Sequence, residues 1–302
     1  MSIRYSIVVP VYNEELVVRE SYKRLKEVMD STGEPYELIF VNDGSRDQTE
    51  QLVSELCDAD ANVRLLSFSR NFGHQTAITA GMDAASGQAI VVIDADLQDP
   101  PEVILEMIAK WKEGYDVVYG QRISREGETW FKKMTAKAFY RILKSLTSVD
   151  IPVDTGDFRL IDRKVCDVLS SLTEKNRYVR GLVSWVGFRQ TAVRFHRKER
   201  FAAETNGITT FSYKPLKLTT YVGFLVSFCS FIYLLVVICL KLFTDRTVSG
   251  WASTLSVSLL FNGVILMMLG IIGEYIGRIY DETKNRPLYV IRERKGFNDE
   301  EK

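Results

Sequence analysis

The stretch Val91–Glu102 reads V-V-I-D-A-D-L-Q-D-P-P-E. The apolar run from Ala89 to Ile93 predicts a buried strand that delivers Asp94 and Asp96 at its carboxyl end. Residues two apart in a strand point to the same face, so both carboxylates can reach one ligand, and a hard divalent cation relieves the repulsion between them. A bare D-x-D suits turn and N-cap acids equally well, so the rest of the chain decides between a metal site and a structural turn.

Strands and helices alternate on both sides of this stretch. Apolar runs predict strands at Tyr5–Val9, Tyr36–Val41 and Val63–Ser67, with helices between them at about 15–31 and 48–58. The alternation predicts an α/β fold with a doubly wound, mostly parallel sheet, in which ligands bind beyond the carboxyl ends of the strands. The polar residues that follow the strands are Tyr12, Glu14, Asp43, Ser45, Arg70, Asn71, Asp94 and Asp96.

The sequence has no Walker loop and no G-x-G-x-x-G after the first strand. Both absences argue against ATP hydrolysis and dinucleotide binding. A crevice with acids and a metal, but without a glycine loop for phosphate, favours a nucleotide sugar, with the metal on its diphosphate. The chain carries 39 basic and 39 acidic residues, and this balance argues against a nucleic-acid partner.

Two stretches without a charged residue, Leu218–Leu240 and Val248–Gly273, follow the α/β part. Each is longer than the about 20 residues that cross a bilayer, so we expect a two-helix hairpin, with a pair of buried helices in a soluble core as the alternative. Basic residues flank the pair and predict that both termini are cytoplasmic. We therefore divide the chain into a cytoplasmic catalytic domain (1–210), a juxtamembrane segment with the hairpin (211–277) and a cytoplasmic tail (278–302).

The remaining chemistry-bearing residue types form no pattern. The N-terminal apolar run is too short for a signal peptide, so we expect the catalytic part to stay in the cytoplasm. Four cysteines without metal or disulfide spacing are expected to be buried thiols of a reducing compartment. The only histidines, His74 and His196, are interpreted as polar loop residues.

Four motifs, in this order and spacing, resemble the family-2 glycosyltransferases of the GT-A fold. They are P-V-Y-N-E from Pro10, N-D-G-S-R-D from Asn42, D-A-D-L-Q-D-P-P-E from Asp94 and D-T-G-D-F-R-L from Asp154. Within that family they are similar to the polyprenyl-phosphate branch, which includes dolichol-phosphate mannosyltransferases and bactoprenol glucosyltransferases. The resemblance covers nearly the whole chain, including the two predicted spans.

The resemblance implies a GT-A domain with two C-terminal transmembrane helices in the cell inner or plasma membrane. It implies an inverting enzyme that moves a hexose, glucose from UDP-glucose in the first place, to undecaprenyl or another polyprenyl phosphate for cell-envelope glycosylation. The implied cofactor is Mg²⁺ or Mn²⁺. The implied partners are the nucleotide sugar, the polyprenyl phosphate, membrane lipid, a flippase, a downstream glycosyltransferase and a second copy of the chain.

The resemblance also implies roles for individual residues. The nucleoside is expected to be bound by Pro10, Tyr12, Glu14 and Asp43. The diphosphate and the metal are expected to be bound by Asp94, Ala95, Asp96 and Gln98, with Asp94, Asp96 and Gln98 as metal ligands. Arg122 lies near the phosphates, and Arg197 and Arg200 belong to a loop that closes over the nucleotide. Asp157 is the acceptor-side acid and Arg159 the base of its pocket.

A polyprenyl phosphate is already anionic at pH 7, so catalysis needs positioning and charge neutralisation more than proton abstraction. Asp157 either accepts a proton or orients the acceptor, and we favour orientation. A turn cap for Asp157 and a structural ion pair for Arg159 are the alternatives.

Three other functions stay open. A processive polysaccharide synthase would carry a Q-x-x-R-W motif and more spans, and the sequence has neither. An N-acetylglucosamine or mannose transferase of the same branch would use a similar site. A membrane scaffold or flippase subunit would keep the fold without activity, which the intact acids at 94, 96 and 157 argue against.

Overall fold

A computed structural model describes residues 3–123, 155–175, 177–196 and 251–297, together with positions 225–226, 228–229, 231–233, 235–236, 239 and 243. Arg197 and Arg200 lie outside these described residues. The chain forms two compact units, one of Met1–Glu204 with Pro287–Lys302 and one of Thr205–Arg286.

The described part of the first unit contains eight strands and six helices. They are β1 (Tyr5–Val11), α1 (Val18–Asp30), β2 (Tyr36–Asn42), α2 (Thr49–Ala59), β3 (Val63–Phe68), α3 (His74–Ala84), β4 (Ala89–Val92), α4 (Val103–Lys112), β5 (Val117–Arg122), β6 (Thr155–Asp162), α5 (Arg163–Ser171), α6 (Val179–Trp185), β7 (Gln190–Phe195) and β8 (Ile291–Lys295).

All eight strands form one sheet in the order β7-β5-β6-β4-β1-β2-β3-β8. Only β6 and β8 run against the other strands, so the predicted α/β fold with a mostly parallel sheet is confirmed as a mixed sheet. In the pairing of β4 with β6, Val92 lies opposite Arg159. Because β6 is reversed, its first residues lie at the edge where β4 ends, and this edge therefore receives the D-A-D turn and the T-G-D segment together.

The sheet is covered on both faces. Alternate residues of β1 show this, because Ile7 packs in a core cluster with α1, α2 and α4, and Val8 packs in a second cluster with α3, α5 and α6. Strands buried on both faces read as continuous apolar runs, which is why they could be located from the sequence. Helix α3 approaches the sheet closely because Gly81 has no Cβ, which would collide with Val8.

The tail returns to the first unit after the second. Strand β8 pairs antiparallel with β3, and the ring of Tyr289 stacks on Phe68 with centroids 5.2 Å apart. Lys295 donates from Nζ to the Asp58 carboxylate at 2.7 Å. The tail therefore covers what would otherwise be the open edge of β3.

The second unit contains the helix α7 (Trp251–Thr283). Its segment Leu260–Thr283 contains an 18-residue stretch with a mean hydropathy of 1.7, of which 11% is buried, so by length and composition this helix could cross a membrane. Two spans are predicted from the sequence, and the described residues contain one candidate helix. Most of the first predicted span, Leu218–Leu240, lies outside the described residues. The helix itself continues beyond Gly273, where the predicted uncharged stretch ends, to Thr283.

The four cysteines are free thiols. Cys166 is buried as expected, and Cys57 is half-buried. The expectation of burial is wrong for Cys229 and Cys239, which are exposed and belong to the stretch predicted to face lipid.

Candidate active site

Two turns at the carboxyl ends of β1 and β2 are tied to each other by hydrogen bonds. The Asn13 N–H donates to Ser45 Oγ at 3.0 Å, and the Arg46 N–H donates to Asn13 Oδ1 at 2.8 Å. The Glu14 N–H donates to Thr49 Oγ1 at 2.8 Å. These contacts hold Tyr12 and Glu14, both half-buried, beside the second turn, while Pro10 is buried within β1. Three of the four residues predicted to hold a nucleoside thus lie at one rim of the sheet.

Asp43 follows β2 and is 3% exposed. Its two carboxylate oxygens accept the backbone N–H groups of Phe72 at 2.6 Å and Gly73 at 3.0 Å. Burial raises the pKa of Asp43, and these two N–H donors oppose the rise. In this structure Asp43 holds the loop before α3. Gly44 beside it has φ of +68°, and a Cβ there would lie 2.5 Å from the carbonyl carbon of Arg70.

Asp94 is the first residue of the D-A-D turn after β4, and Ala95 beneath it is buried. Burial raises the pKa of Asp94, the imidazole of His74 opposes the rise, and the Asp96 carboxylate adds to it. The Gln98 N–H closes the turn by donating to Asp96 Oδ1 at 3.1 Å. Asp94, Asp96 and Gln98 therefore occupy a single turn at the edge where β6 begins.

Asp157 lies at that same edge, at the start of β6, and it contacts three side chains. Gln75 Nε2 donates to its Oδ2 at 2.9 Å, Arg180 Nε donates to its Oδ1 at 3.0 Å, and His74 Nε2 lies 3.3 Å from Oδ2. Burial alone would raise the pKa of Asp157, but the hydrogen bond with His74 and the charges of Arg180 and Arg159 hold it at about 2. Asp157 is therefore an anion at neutral pH.

His74 joins the two acidic groups, because its Nε2 also lies 3.4 Å from Asp94 Oδ1. Burial lowers the pKa of His74, but the hydrogen bond to Asp157 and the charge of Asp94 outweigh it and raise the pKa. The interpretation of His74 as loop polarity is wrong. His74 directly follows the loop at the carboxyl end of β3, and that position in the sequence already indicates the edge at which the acids lie.

Arg159 and Arg122 support the edge from β6 and β5. Arg159 is 4% exposed and donates to the carbonyl of Gly156 at 3.0 Å, and burial lowers its pKa to about 10 against the charge of Asp157. Arg122 Nη2 donates to Asp99 Oδ2 at 3.2 Å. A Cβ on Gly156 would lie 2.7 Å from Arg122 Nη2, so this glycine makes room for the guanidinium beside the D-A-D turn.

Two further residues of the cluster came only from the structure. Gln75 begins α3 with His74, and Arg180 belongs to α6, a helix to which the sequence assigned no role. They lie 82 and 23 residues from Asp157 in the chain.

The donor atoms at this edge suit a divalent cation that takes its remaining ligands from a substrate. Among the described residues, no group of three His, Cys, Asp or Glu side chains is arranged to hold a metal ion by itself. Asp94 and Asp96 with the amide oxygen of Gln98 are two carboxylates and one neutral oxygen, and Mg²⁺ is commonly held by one or two carboxylates plus phosphate oxygens. Burial raises the pKa of Asp94 and the Asp96 carboxylate adds to the rise, and a bound cation would relieve the repulsion between these two carboxylates.

Comparison with known families gives two matches on this chain. Residues 6–169 match the model described as Glycosyl transferase family 2, and residues 214–279 match the one described as GtrB C-terminal hairpin.

Individual relatives match over nearly the whole length. The chain is 62% identical to the Bacillus subtilis (strain 168) protein named uncharacterized glycosyltransferase YkcC, over 98% of this chain and 95% of that protein. It is 40% identical to the SfII prophage-derived bactoprenol glucosyl transferase of Shigella flexneri, over 96% of this chain and 97% of that protein. Among solved structures, the mannosyltransferase PcManGT from Pyrobaculum calidifontis, in complex with GDP-Man and Mn²⁺, has 13% identity and a TM-score of 0.47, covering 95% of this chain and 77% of that one.

Proposed function

This chain belongs to glycosyl transferase family 2 and is a glycosyltransferase, and from that premise we propose that it transfers glucose from UDP-glucose to undecaprenyl or another polyprenyl phosphate. The observation that carries the proposal is the junction of Asp94 and Asp157 at His74, in a chain 40% identical over 96% of its length to a bactoprenol glucosyl transferase. This junction gives one edge of the sheet a donor-side acid and an acceptor-side acid within reach of each other.

The donor nucleoside lies against the two tied turns at Pro10, Tyr12 and Glu14. Asp43 contributes by holding the loop at 72–73, since both of its oxygens accept backbone N–H groups there. The diphosphate lies over the turn of Asp94, Ala95, Asp96 and Gln98. We also propose that Arg197 and Arg200 belong to a loop that closes over the nucleotide.

The Mg²⁺ or Mn²⁺ ion would be held by Asp94, Asp96 and Gln98. When bound, such an ion supplies charge neutralisation for the departing nucleoside diphosphate. Arg122 adds a positive charge to that of the metal ion. Its ion pair with Asp99 fixes the position of the guanidinium beside the turn. These residues bind and orient the leaving group.

On the acceptor side, an oxygen of the polyprenyl phosphate attacks the anomeric carbon. The bond from that carbon to the diphosphate oxygen breaks, UDP leaves with the electron pair, and the configuration inverts. The acceptor oxygen is already anionic and loses no proton. A carboxylate with a pKa of about 2 is a weak base at pH 7, so Asp157 orients the acceptor rather than deprotonating it.

The second unit anchors the enzyme as a two-helix hairpin in the cytoplasmic membrane. Strands β1 and β8 belong to one sheet, so the chain before and after the second unit lies in one compartment. Any membrane crossings between them must therefore be even in number, and α7 requires a partner span. The match of 214–279 to a C-terminal hairpin supports this arrangement, in which the catalytic unit and both termini are cytoplasmic.

The test is turnover by the purified full-length protein in detergent. Undecaprenyl phosphate and Mg²⁺ or Mn²⁺ are supplied with UDP-glucose, UDP-N-acetylglucosamine or GDP-mannose in turn, and the lipid-linked product is quantified. Asp96→Ala is compared with Asp167→Ala, which removes an exposed acid of α5 that is 64% accessible. UDP binding is measured separately for each protein.

We expect lipid-linked glucose, its loss with EDTA and with Asp96→Ala, and unchanged turnover with Asp167→Ala. If product forms only with another donor, the transferred sugar is the one that this donor carries, and the assignment of glucose is wrong. Metal-dependent UDP binding without turnover from any donor would overturn the transferase reaction proposed here in favour of a scaffold.

A further inference from the structure

The side chain of Gln75 connects Asp157 to helix α6. Its Nε2 donates to Asp157 Oδ2 at 2.9 Å, and its Oε1 accepts the backbone N–H of Val179 at 3.1 Å. A carboxylate only accepts and a backbone N–H only donates, so the two contacts fix which end of the amide faces which partner. Gln75 thus satisfies an N–H of the first turn of α6, which has no partner within the helix.

Arg180 makes the same connection by a second route. It follows Val179 in α6 and donates from Nε to the other oxygen of Asp157, Oδ1, at 3.0 Å. The ring of Tyr178 lies 5.6 Å from its guanidinium carbon and steers the side chain. Asp157 is 9% exposed and each of its two oxygens accepts a hydrogen bond from a different side chain, so the carboxylate has one favoured rotation about its terminal torsion.

We propose that Gln75 and Arg180 are positioning residues that fix the plane of the Asp157 carboxylate for the acceptor phosphate. The inference rests on the proposed function, because it assigns Asp157 to the acceptor. The two residues act through Asp157 and do not touch the reacting atoms. Orientation needs such support, since a small misplacement of a positioning group lowers the rate steeply.

The experiment compares Gln75→Met with Gln51→Met in the full-length protein. Methionine keeps the length of glutamine but removes both hydrogen bonds, and Gln51 donates to Glu55 on the exposed surface of α2 as a matched control. Steady-state rates are measured with undecaprenyl phosphate varied at fixed UDP-glucose, and then with the donor varied. Arg180→Ala and Arg180→Lys are measured in the same way.

We expect Gln75→Met to lower kcat/KM for the lipid acceptor about 10- to 100-fold, the value of a hydrogen bond to a charged group, with the KM for UDP-glucose unchanged. Gln51→Met should leave both unchanged, and Arg180→Lys should recover part of the activity that Arg180→Ala loses. In a cycle with Asp157→Asn, the effect of Gln75→Met should largely disappear, because its target is already altered.

An equal effect of Gln75→Met with Asp157 intact or replaced would overturn the inference, as would a change in the KM for UDP-glucose alone. If the wild-type protein turns over no donor, the proposed function fails independently. In that case the contact between Gln75 and Asp157 still predicts that Gln75→Met and Asp157→Asn have non-additive effects on Tm. Additive changes in Tm would refute the positioning of Asp157 by Gln75.

Discussion

Replacing Asp157 by Asn removes one negative charge and preserves the shape of the side chain. The structure sets the size of the effect, because the environment lowers the pKa of this carboxyl from 3.8 to about 2. A shift of this size stabilises the ionised form by about 2 kcal/mol relative to the neutral one, and the amide resembles the neutral form. We therefore expect Asp157→Asn to lower the free energy of unfolding by about 2 kcal/mol at pH 7.

Thermal unfolding of the full-length protein without nucleotide measures this loss. For a unit of 150–250 residues, about 2 kcal/mol corresponds to about 4–8 °C in Tm. A carboxylate whose folded pKa is depressed contributes stability above its unfolded pKa and loses it as the pH falls through the folded value. The difference between wild type and Asp157→Asn should thus shrink as the pH falls from about 4 towards 2, and it should also become smaller as the pH rises through the raised pKa of His74, which the Asp157 carboxylate supports.

The control is Asp167→Asn, which alters a carboxylate that is 64% exposed and should change Tm by less than about 2 °C. Equal Tm values for wild type and Asp157→Asn at pH 7 would refute the reasoning. So would a difference that grows as the pH falls from about 4 towards 2, since that would mean that the folded protein favours the neutral acid.

Three further outcomes follow from other contacts. For His74→Gln without metal, we expect a Tm loss that is largest at pH 6 and smaller at pH 9, because a raised histidine pKa stabilises the fold below about 6.5 and the contribution disappears above the folded value; a loss independent of pH would contradict this. For Gly44→Ala, we expect about 2 kcal/mol lower stability and weaker UDP binding, since φ is +68° and the Cβ would meet the backbone of Arg70; unchanged binding would separate this turn from the nucleoside site. For Tyr289→Ala, lost stacking on Phe68 should speed amide exchange in β8 but not in β1, and equal rates before and after substitution would show that the tail strand is held by its backbone alone.

Local patterns predicted much of the fold. The strands buried on both faces are continuous apolar runs, so β1 to β4, with the helices α1 and α2 between them, were located with small shifts at the ends. Their parallel order followed from alternation, and this order predicted that Asp94 and Asp43 reach one edge. The strand β8 was missed because four of its five residues, I-R-E-R-K, are charged and it pairs only at an edge, with a partner more than 200 residues earlier in the chain.

The sequence by itself determined the type of fold, the edge that carries the polar turns, the residues of the D-A-D turn and the uncharged stretch 248–273 that contributes to α7, because each depends on residues close together in the chain. Only the tertiary structure decided the chemical state of Asp157, since two of the groups that lower its pKa, His74 and Arg180, come from α3 and α6. It also decided that His74 joins Asp157 to Asp94 and that Asp43 holds a loop. Pairings of this kind depend on which elements meet when both faces of the sheet are covered, and no local pattern encodes them.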